Sequence, residues 1–424
     1  MARSLLIALL LATRIAAAPV PAEEKPKPRA KLLGTVKLNE YVNSVCWTPD
    51  AKHLILLTKD KGQLIGRDQL GEDTPAKPIA EFALPVGWIA KFGVTPDGAE
   101  LYAMSVADRL NSEHRLCYWN LKDLLDGKSK AKPDRSVSLE MDRPNVVCPS
   151  SDGKTLFATI SQPRDGGGVL PRNVEPQRIG QVIQLSTRTG DRAEERTVLD
   201  LPDATLLGSV IHAGSGRVFA HFLSVEEHAI RCFERGAKKE KWDRKMAATP
   251  QQNNLGSHYP QLSPDGHRLV VFWCRSIQSI DPNAAPQQGR RPQMLSTPAV
   301  SPQLLNADTG ELIADLGGDD TTDCQILDFS SDSRFMFGWL RRNTGQEFTV
   351  WEMKAGLPLK SWKRGFSDVT AAFAPGRHEL AIVERTQQQV LSSVRNPNGE
   401  IEQRVYRVDH TGILGVWDLT ALGK

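Results

Sequence analysis

The sequence predicts an all-β fold, a seven-bladed β-propeller of four-stranded blades. The main observation is a phrase of apolar strand, tight turn and second apolar strand that recurs seven times. Successive turns are 47, 55, 64, 49, 67 and 44 residues apart, close to or above the length of a propeller blade. The turn residues that mark the seven repeats are Asp50, Asp97, Asp152, Gly216, Asp265, Asp332 and Gly376.

Third and fourth strands complete most repeats. The third strand often ends at an aromatic residue, as at Trp119, Trp351 and Trp417, or at a leucine, as at Leu185 and Leu305. Four strands per repeat are typical of a propeller blade. Fourth strands are predicted over 77–84, 136–141, 196–201 and 311–316.

The two ends of the repeat array predict how the ring closes. The seventh repeat has a third strand over 413–419, but residues 420–424 are too few for a fourth. The alternating segment 31–38 precedes the first repeat and has no blade of its own. We expect this N-terminal strand to complete the last blade, because an unpaired strand edge would otherwise invite aggregation.

The N-terminus has the layout of a secretory signal. Arg3 precedes an apolar run from Leu5 to Ala12, and small residues follow up to the expected cleavage site after Ala22. An uncleaved anchor is the weaker alternative, since the run is about half the roughly 20 residues of a spanning helix. We therefore expect a signal peptide over 1–22, a flexible leader over 23–30 and the propeller over 31–424. This organisation predicts export to the periplasm or the cell exterior, with no membrane span after signal removal.

Charge and cysteine usage narrow the class of protein further. The net charge is +3 and falls to +1 if Arg3 and Arg14 leave with the signal, so no nucleic-acid partner is expected. Six cysteines in an exported chain raise the question of disulfides. Cys46 and Cys148 lie four residues before the turn aspartates of their repeats, and the others lie within apolar strands. We expect buried free thiols, with at least one disulfide as the alternative, and a monomer.

The chain resembles a degenerate WD-repeat β-propeller over about residues 31–424. The Ser-Pro-Asp-Gly turn at 263–266 and the pair Trp417-Asp418 match the pattern of that family. No Gly-His pair opens a repeat, so the hydrogen-bond network associated with that pair is not predicted here. Ser-Pro-Asp-Gly turns also occur in TolB-like and lactonase-like propellers, so the subfamily stays open.

Three repeats are longer than the others at one position. From the turn residue to the end of the third strand, blades three, five and seven contain 33, 40 and 41 residues, against 17 to 22 in blades one, two, four and six. The extra residues fall between the second and third strands, over 162–178, 281–300 and 386–404. In a propeller these links lie on the same face as the links between blades. Because loops on one face of a repeat array commonly build its binding surface, this face is the predicted binding site.

Arginines within the three insertions are the candidate binding residues. The planar guanidinium group suits carboxylates, sulfates or phosphates. The alternative is that the insertions are tolerated surface loops with no function, since long loops cost little free energy. The candidate arginines of the binding-face loops are Arg164, Arg172, Arg178, Arg290, Arg291, Arg395 and Arg404.

No linear motif indicates catalysis. The nine histidines show no metal-binding spacing, and no Gly-x-Ser-x-Gly nucleophile turn is present. No catalytic, cofactor-binding or metal-ligating residue is therefore assigned, and no cofactor is expected. A site assembled from several blades at the central channel is the alternative, with His258 and Tyr259, just before the inner strand of blade five, as its candidates.

These observations favour an exported, non-catalytic scaffold that binds a protein partner or an acidic polymer through one loop-rich face. The alternative is a periplasmic or extracellular enzyme with a central-channel site, either a lactonase-like hydrolase or a dehydrogenase-like propeller. A third interpretation makes the chain a component of a larger envelope assembly, like TolB-like propellers.

Overall fold

Seven four-stranded antiparallel sheets form the blades of a β-propeller, which confirms the predicted fold class. The structure is a computed structural model. It describes residues 30–71, 74–85, 88–95, 97–106, 114–139, 144–150, 152–163, 178–191, 197–199, 205–223, 227–237, 239–247, 260–272, 278–280, 294–296, 302–317, 321–342, 345–364, 368–395 and 401–423.

Blades one to four each use four consecutive strands, from the central channel outward. Blade one contains β2 (Ser44–Trp47), β3 (His53–Leu57), β4 (Lys61–Gly66) and β5 (Ala80–Ala83). Blade two contains β6 (Trp88–Val94), β7 (Glu100–Val106), β8 (His114–Asn120) and β9 (Arg135–Leu139). Blade three contains β10 (Pro144–Pro149), β11 (Thr155–Pro163), β12 (Arg178–Ser186) and β13 (Thr197–Leu199). Blade four contains β14 (Thr205–Ile211), β15 (Val218–Leu223), β16 (Glu227–Phe233) and β17 (Trp242–Ala247).

Blade six keeps this regular order, whereas blades five and seven depart from it. Blade five contains β18 (Gln261–Leu262), β19 (Arg268–Val271), β22 (Gln303–Asn306) and β23 (Leu312–Asp315), and a separate hairpin of β20 (Gln278–Ile280) and β21 (Met294–Ser296) interrupts it. Blade six contains β24 (Thr321–Phe329), β25 (Phe335–Arg342), β26 (Gly345–Glu352) and β27 (Leu357–Arg364). Blade seven contains β28 (Asp368–Phe373), β29 (Glu379–Arg395), β30 (Ile401–Asp418) and β1 (Lys31–Leu38). The helices are Leu121–Leu125, of α type, and Arg67–Gln69 and Thr420–Gly423, of 3-10 type.

The N-terminal strand β1 closes the ring, as predicted. It pairs antiparallel with β30, from Lys31 opposite Asp418 to Leu38 opposite Gly412. Val36 and Leu38 are buried while Lys37 between them is exposed, the alternation of an edge strand with one face on a core. Blade seven is therefore built from both ends of the described chain.

The apolar core consists of seven clusters, one at each junction between neighbouring blades. Strand β3 shows how the residues of one strand pack into two blade junctions. Leu54 and Leu56 pack toward blade seven, whereas Ile55 and Leu57 pack toward blade two. Because successive side chains of a strand point to opposite faces, a strand between two neighbours must be apolar at every position.

The turn between the first and second strands of five blades has a common hydrogen bond. A Ser or Thr hydroxyl donates to the carboxylate two residues later at 2.6 to 2.7 Å. In blade two, the Thr95 hydroxyl and the Ala99 amide hold the pKa of Asp97 below its usual value. The five pairs are Thr48–Asp50, Thr95–Asp97, Ser150–Asp152, Ser263–Asp265 and Ser330–Asp332.

These turns define the turn face of the disc, which also carries the links between third and fourth strands. Polar contacts join neighbouring blades here. Arg217 of blade four pairs with Asp308 of blade five, and His378 of blade seven contacts Asp332 of blade six at 2.8 Å. The insertion face is the opposite side, with the links between second and third strands and between blades.

A glycine pair provides a test of how tightly the blades pack. Gly190 (φ +82°) would place a Cβ only 2.0 Å from the Ser138 carbonyl oxygen of blade two, whereas a Cβ at Gly376 (φ +65°) meets nothing within 4 Å. We expect Gly376→Ala to cost about 1 kcal/mol from backbone strain alone. Gly190→Ala should cost about 3 kcal/mol or more, because backbone must move. Urea denaturation of both variants measures the difference, and equal losses would contradict this packing.

Candidate functional site

The three insertions occupy one topological position. They join β11 to β12 in blade three, β19 to β22 in blade five and β29 to β30 in blade seven. Each link therefore emerges on the insertion face. In blade five the insertion contains the β20–β21 hairpin, with Gln278 opposite Ser296.

Blade seven differs from the loop predicted over 386–404, because residues 386–395 and 401–404 belong to β-strands. Strands β29 and β30 continue to pair beyond the blade, from Thr386 opposite Thr411 to Arg395 opposite Ile401. Apolar residues recur through both strands of this segment, which favours extended pairing over an irregular loop. We call this two-stranded extension, 386–395 and 401–411, the arm. At about 3.3 Å per residue, it extends roughly 30 Å from the blade.

The candidate arginines are distributed unequally over the described structure. Arg395 ends β29 and Arg404 lies opposite Ser392, so both belong to strands of the arm and not to a loop. Arg178 begins β12, opposite Pro163. The candidates Arg164, Arg172, Arg290, Arg291, His258 and Tyr259 lie outside the described residues.

A cluster at the base of the arm joins it to the ring closure. Arg385, the residue before the arm, pairs with Asp368 at the start of β28. Its guanidinium carbon lies 5.0 Å from the centre of the Tyr41 ring, and the Tyr41 hydroxyl donates to the same carboxylate. Charge, cation–π contact and hydrogen bond together fix the orientation of the arm where it leaves the blade.

A polar pocket lies beside this cluster, on the insertion face between blades seven and one. Lys61 Nζ lies 2.7 Å from Glu81 Oε1 and 3.0 Å from Glu40 Oε1, and the Gln63 amide donates to Glu81 at 3.1 Å. The bond from Lys61 holds the pKa of Glu81 below its usual value, and the pKa of Lys61 is raised in turn. With two carboxylates and one ammonium group, the pocket is acidic and suits a cationic group of a partner.

This acidic pocket is opposite in sign to the arginine-rich site that the sequence predicted. Its residues come from β4, β5 and the link after β1, so no linear motif connects them. Glu40 lies in the link from β1 to blade one, and it meets Lys61 at the start of β4. Their spacing in the sequence carries no signal that could have identified the pocket.

The central channel contains a second group of functional interest. Asp328 lies on the inner strand β24, and its carboxylate accepts a hydrogen bond of 2.6 Å from the Phe373 amide of the neighbouring inner strand β28. Burial raises the pKa of Asp328 to about 6, although its backbone hydrogen bonds and the charge of Lys91 act in the opposite direction. Burial, and then the charge of Asp328, also raises the pKa of the Cys46 thiol.

Asp328 can be recognised in the sequence by comparing the repeats, although it belongs to no linear motif. Asp328 lies four residues before the turn residue Asp332. The same position holds cysteine, glycine, cysteine and glutamine in blades one, two, three and five, so Asp328 is the acidic residue among these five blades. The four equivalent residues are Cys46, Gly93, Cys148 and Gln261.

Two further observations concern the cysteines and the potential metal ligands among the described residues. Cys46, Cys117, Cys148, Cys232 and Cys324 are all free thiols. Within the described ranges, no group of three or more His, Cys, Asp or Glu side chains could hold a metal ion. No helix in the part of the chain that the structure describes has the length and apolar character needed to cross a membrane.

The strand topology defines the class of this protein as a seven-bladed β-propeller. No protein-family model matches the sequence, and no curated protein is similar to it.

Several solved structures are similar at low identity. The β-propeller domain of Cps50 (Swd1) from Myceliophteria thermophila is 12% identical, with 89% of this chain and 100% of that chain covered and a TM-score of 0.49. Hydrazine synthase of Kuenenia stuttgartiensis is also 12% identical, with coverages of 88% and 97% and a TM-score of 0.46. KlHsv2 with its loop 6CD replaced by a Gly-Ser linker is 11% identical, with coverages of 87% and 98% and a TM-score of 0.43. The fold assignment rests on the topology of this chain and not on these similarities.

Proposed function

We propose that this chain is an exported, non-catalytic binding scaffold whose insertion face holds a protein partner. The propeller fold fits such a role, because its loops present a surface on a rigid ring. The N-terminal signal pattern supports export. N-terminal sequencing of the protein recovered from the periplasm or medium tests this, with Glu23 as the expected first residue.

The arm is the observation that carries the binding proposal. An isolated two-stranded hairpin is marginally stable in water, yet this one extends far beyond its blade. Its outer edges have backbone groups that a further strand or a partner surface can pair. The cluster of Tyr41, Asp368 and Arg385 fixes its base, so the arm is presented in a defined direction.

The acidic pocket favours a protein over an acidic polymer as the partner. Glu40 and Glu81 stand beside the base of the arm, where a polyanion would be repelled. A lysine or arginine side chain of a protein partner would meet both carboxylates there. The arginines of the blade-three and blade-five insertions remain the proposed contacts for acidic groups of that partner.

Removal of the arm should abolish partner capture while the propeller stays folded. The variant replaces 387–410 by an Asn-Gly turn, which joins strands β29 and β30 at the edge of the blade. A second variant replaces 282–292 by a Gly-Ser linker and keeps β20 and β21, which a deletion of 281–300 would disrupt. Crosslinking and co-purification of the native protein measure the partner set, and we expect at least a tenfold loss for the arm variant.

The matched control is Arg188→Ala, an exposed arginine in the β12–β13 turn on the turn face. It should leave the partner set unchanged. An arm variant that melts like the wild type and still captures every partner would exclude the arm from the site.

A second candidate function is an enzyme with a central-channel site, and Asp328 favours it. A carboxyl group with a pKa near 6 in a concave site is poised for proton transfer near neutral pH. A stoichiometric metal ion in the purified protein, or hydrolase or dehydrogenase activity lost in Asp328→Asn, would support this function. Activity that is unchanged in Asp328→Asn would exclude this carboxyl group as its catalytic residue.

A further inference from the structure

Strand β30 has an uncovered outer edge where it enters the arm. Within the blade, β1 pairs with β30 as far as Leu38 opposite Gly412. Beyond that point β29 continues to pair with β30, to Arg395 opposite Ile401. Among the described strands, none continues the line of β1 beside the arm. The position next to β30 in the sheet is therefore open from residue 411 outward.

The chain itself turns away from this edge directly after β1. Tyr41, three residues after Leu38, donates a hydrogen bond to Asp368, which begins β28 at the opposite edge of the same sheet. The link after β1 therefore crosses the end of the blade toward its inner strand. It leaves the line of β1 beyond Leu38 to a further strand.

The hydrogen-bond pattern identifies the backbone groups that face the open edge. The Leu419 amide donates to the His378 carbonyl, and hydrogen-bonded pairs alternate with non-bonded pairs along an antiparallel ladder. From 419 down to 407, the odd-numbered residues of β30 therefore bond to β29, and the even-numbered residues face the side of β1. The carbonyls of Thr35 and Lys37 agree with this pattern, since they face away from β30 and accept hydrogen bonds from the blade-one link.

Val408 and His410 consequently present amide and carbonyl groups beyond the end of β1. An added strand pairs with groups of this kind. Gln389, opposite Val408, presents its own amide and carbonyl at the other edge of the arm, because both residues of a non-bonded pair face outward. The two edges of the arm can therefore be tested separately.

The acidic pocket lies at the start of the open edge. Leu38 lines the pocket, and its Cδ1 atom lies 3.5 Å from the position of a Cβ at Gly412. Glu40 and Glu81 share the single ammonium group of Lys61 there, which leaves negative charge for a further cation. The pocket has room for several water molecules, and so for the end of a basic side chain.

We propose that the outer edge of β30 binds an extended segment of a partner protein, antiparallel to β30, with lysine or arginine at the N-terminal end of the segment. This inference rests on the scaffold function proposed above and names the chemistry of its partner. The segment continues the line and direction of β1, so its N-terminal end lies beside Leu38. The long stem of a basic side chain then brings its charge to Glu40 and Glu81.

Selection from a displayed library of random peptides tests the proposal, with the immobilised full-length protein as bait and the arm variant as the counter-bait. Enriched peptides should contain β-branched residues and should have lysine or arginine near the N-terminus. The enriched peptides are then synthesised, and fluorescence anisotropy measures their dissociation constants.

Val408→Pro should weaken peptide binding by about tenfold or more, because proline removes the outward amide and leaves the bonds to β29 in place. Gln389→Pro makes the same change at the other edge of the arm, and it should alter the affinity by less than about twofold. Thermal melting checks that both variants stay folded. Equal losses in the two variants, or unchanged binding by Val408→Pro, would overturn strand addition at β30.

Glu40→Gln/Glu81→Gln should also weaken peptide binding by about tenfold, and the loss should shrink as salt is added. Glu234→Gln/Glu311→Gln is the matched control, because it removes the same charge from exposed positions on the turn face. This test decides even if Val408→Pro does not fold. An equal affinity for peptides whose basic residues are replaced by glutamine would contradict the role of the pocket.

The outcomes separate this proposal from the scaffold function. Peptides that bind the arm variant as tightly as the wild type would contradict both. Loss in the arm variant with full binding by Val408→Pro would contradict strand addition alone, as would a library that yields no arm-dependent peptide while whole partners are still captured through the arm. A wild-type dimer that Val408→Pro converts to a monomer in sedimentation would assign the edge to a second copy and overturn the proposal.

Discussion

Replacing Val36 by aspartate should cost about 4 kcal/mol of unfolding free energy, the largest loss that we expect from a single substitution in the closing strand. Val36 is 2% exposed and lies opposite Leu414, within the cluster that joins blade seven to blade one. A carboxylate at this position would be buried without a partner. Urea denaturation followed by circular dichroism measures the loss.

Thr35→Asp is the matched control for Val36→Asp. Thr35 is the preceding residue of the same strand, and its side chain is exposed. The added charge is the same, so a loss below about 1 kcal/mol is expected for the control. Equal unfolding free energies for Val36→Asp and Thr35→Asp would contradict the role of β1 in closing the ring.

Deletion of 31–38 should lower the melting temperature sharply or cause aggregation.

Asp328→Asn should stabilise the protein at neutral pH, by roughly 3 kcal/mol. The pKa of Asp328 is raised from 3.8 to about 6, so the folded state binds a proton more tightly than the unfolded state. The contribution of Asp328 to the unfolding free energy therefore falls as the pH rises from about 4 to about 6. Above about pH 6 the full loss of stability is present. The amide oxygen of asparagine can still accept the hydrogen bond from Phe373.

The pH dependence separates this effect from a general change in packing. The advantage of Asp328→Asn should disappear near pH 4, where the wild-type carboxyl group is protonated. Asp97→Asn is the control of opposite sign, because hydrogen bonds lower the pKa of Asp97, and its substitution should cost stability at neutral pH. Thermal denaturation at pH values from 4 to 8 measures the stability gain of Asp328→Asn. A gain that is the same at every pH would exclude a raised pKa for Asp328.

The sequence predicted the blades because the physics that forms them is local. A hydroxyl two residues before an aspartate closes a turn wherever it occurs, as at Ser263 and Asp265, and alternating apolar residues on either side form strands. Ring closure was also predictable, since the segment 31–38 had a strand pattern and the last blade lacked one strand. These inferences need only the order of elements along the chain.

The sites were less predictable because they depend on contacts between distant parts of the chain. Glu40 and Lys61, 21 residues apart in the sequence, meet in a pocket that no linear motif marks, and Trp362 meets Trp417 across a blade junction. The length of the insertion 386–404 predicts a loop, and its few apolar residues, Val390, Leu391, Val394 and Ile401, do not alternate as in a typical strand, so the arm became visible only in the structure. Asp328 was predictable in principle from its repeat position, but its burial and its bond to Phe373 required the structure.

The pairing of β1 with β30 has a kinetic consequence. Lys31 can meet its partner Asp418 only after the residues between them have left the ribosome, so the ring cannot close before that point of synthesis. Contacts between such distant residues form slowly, because the entropy of closing a long loop must be overcome first. The propeller therefore reaches its native, closed state only after β30 has been synthesised and released to pair with β1.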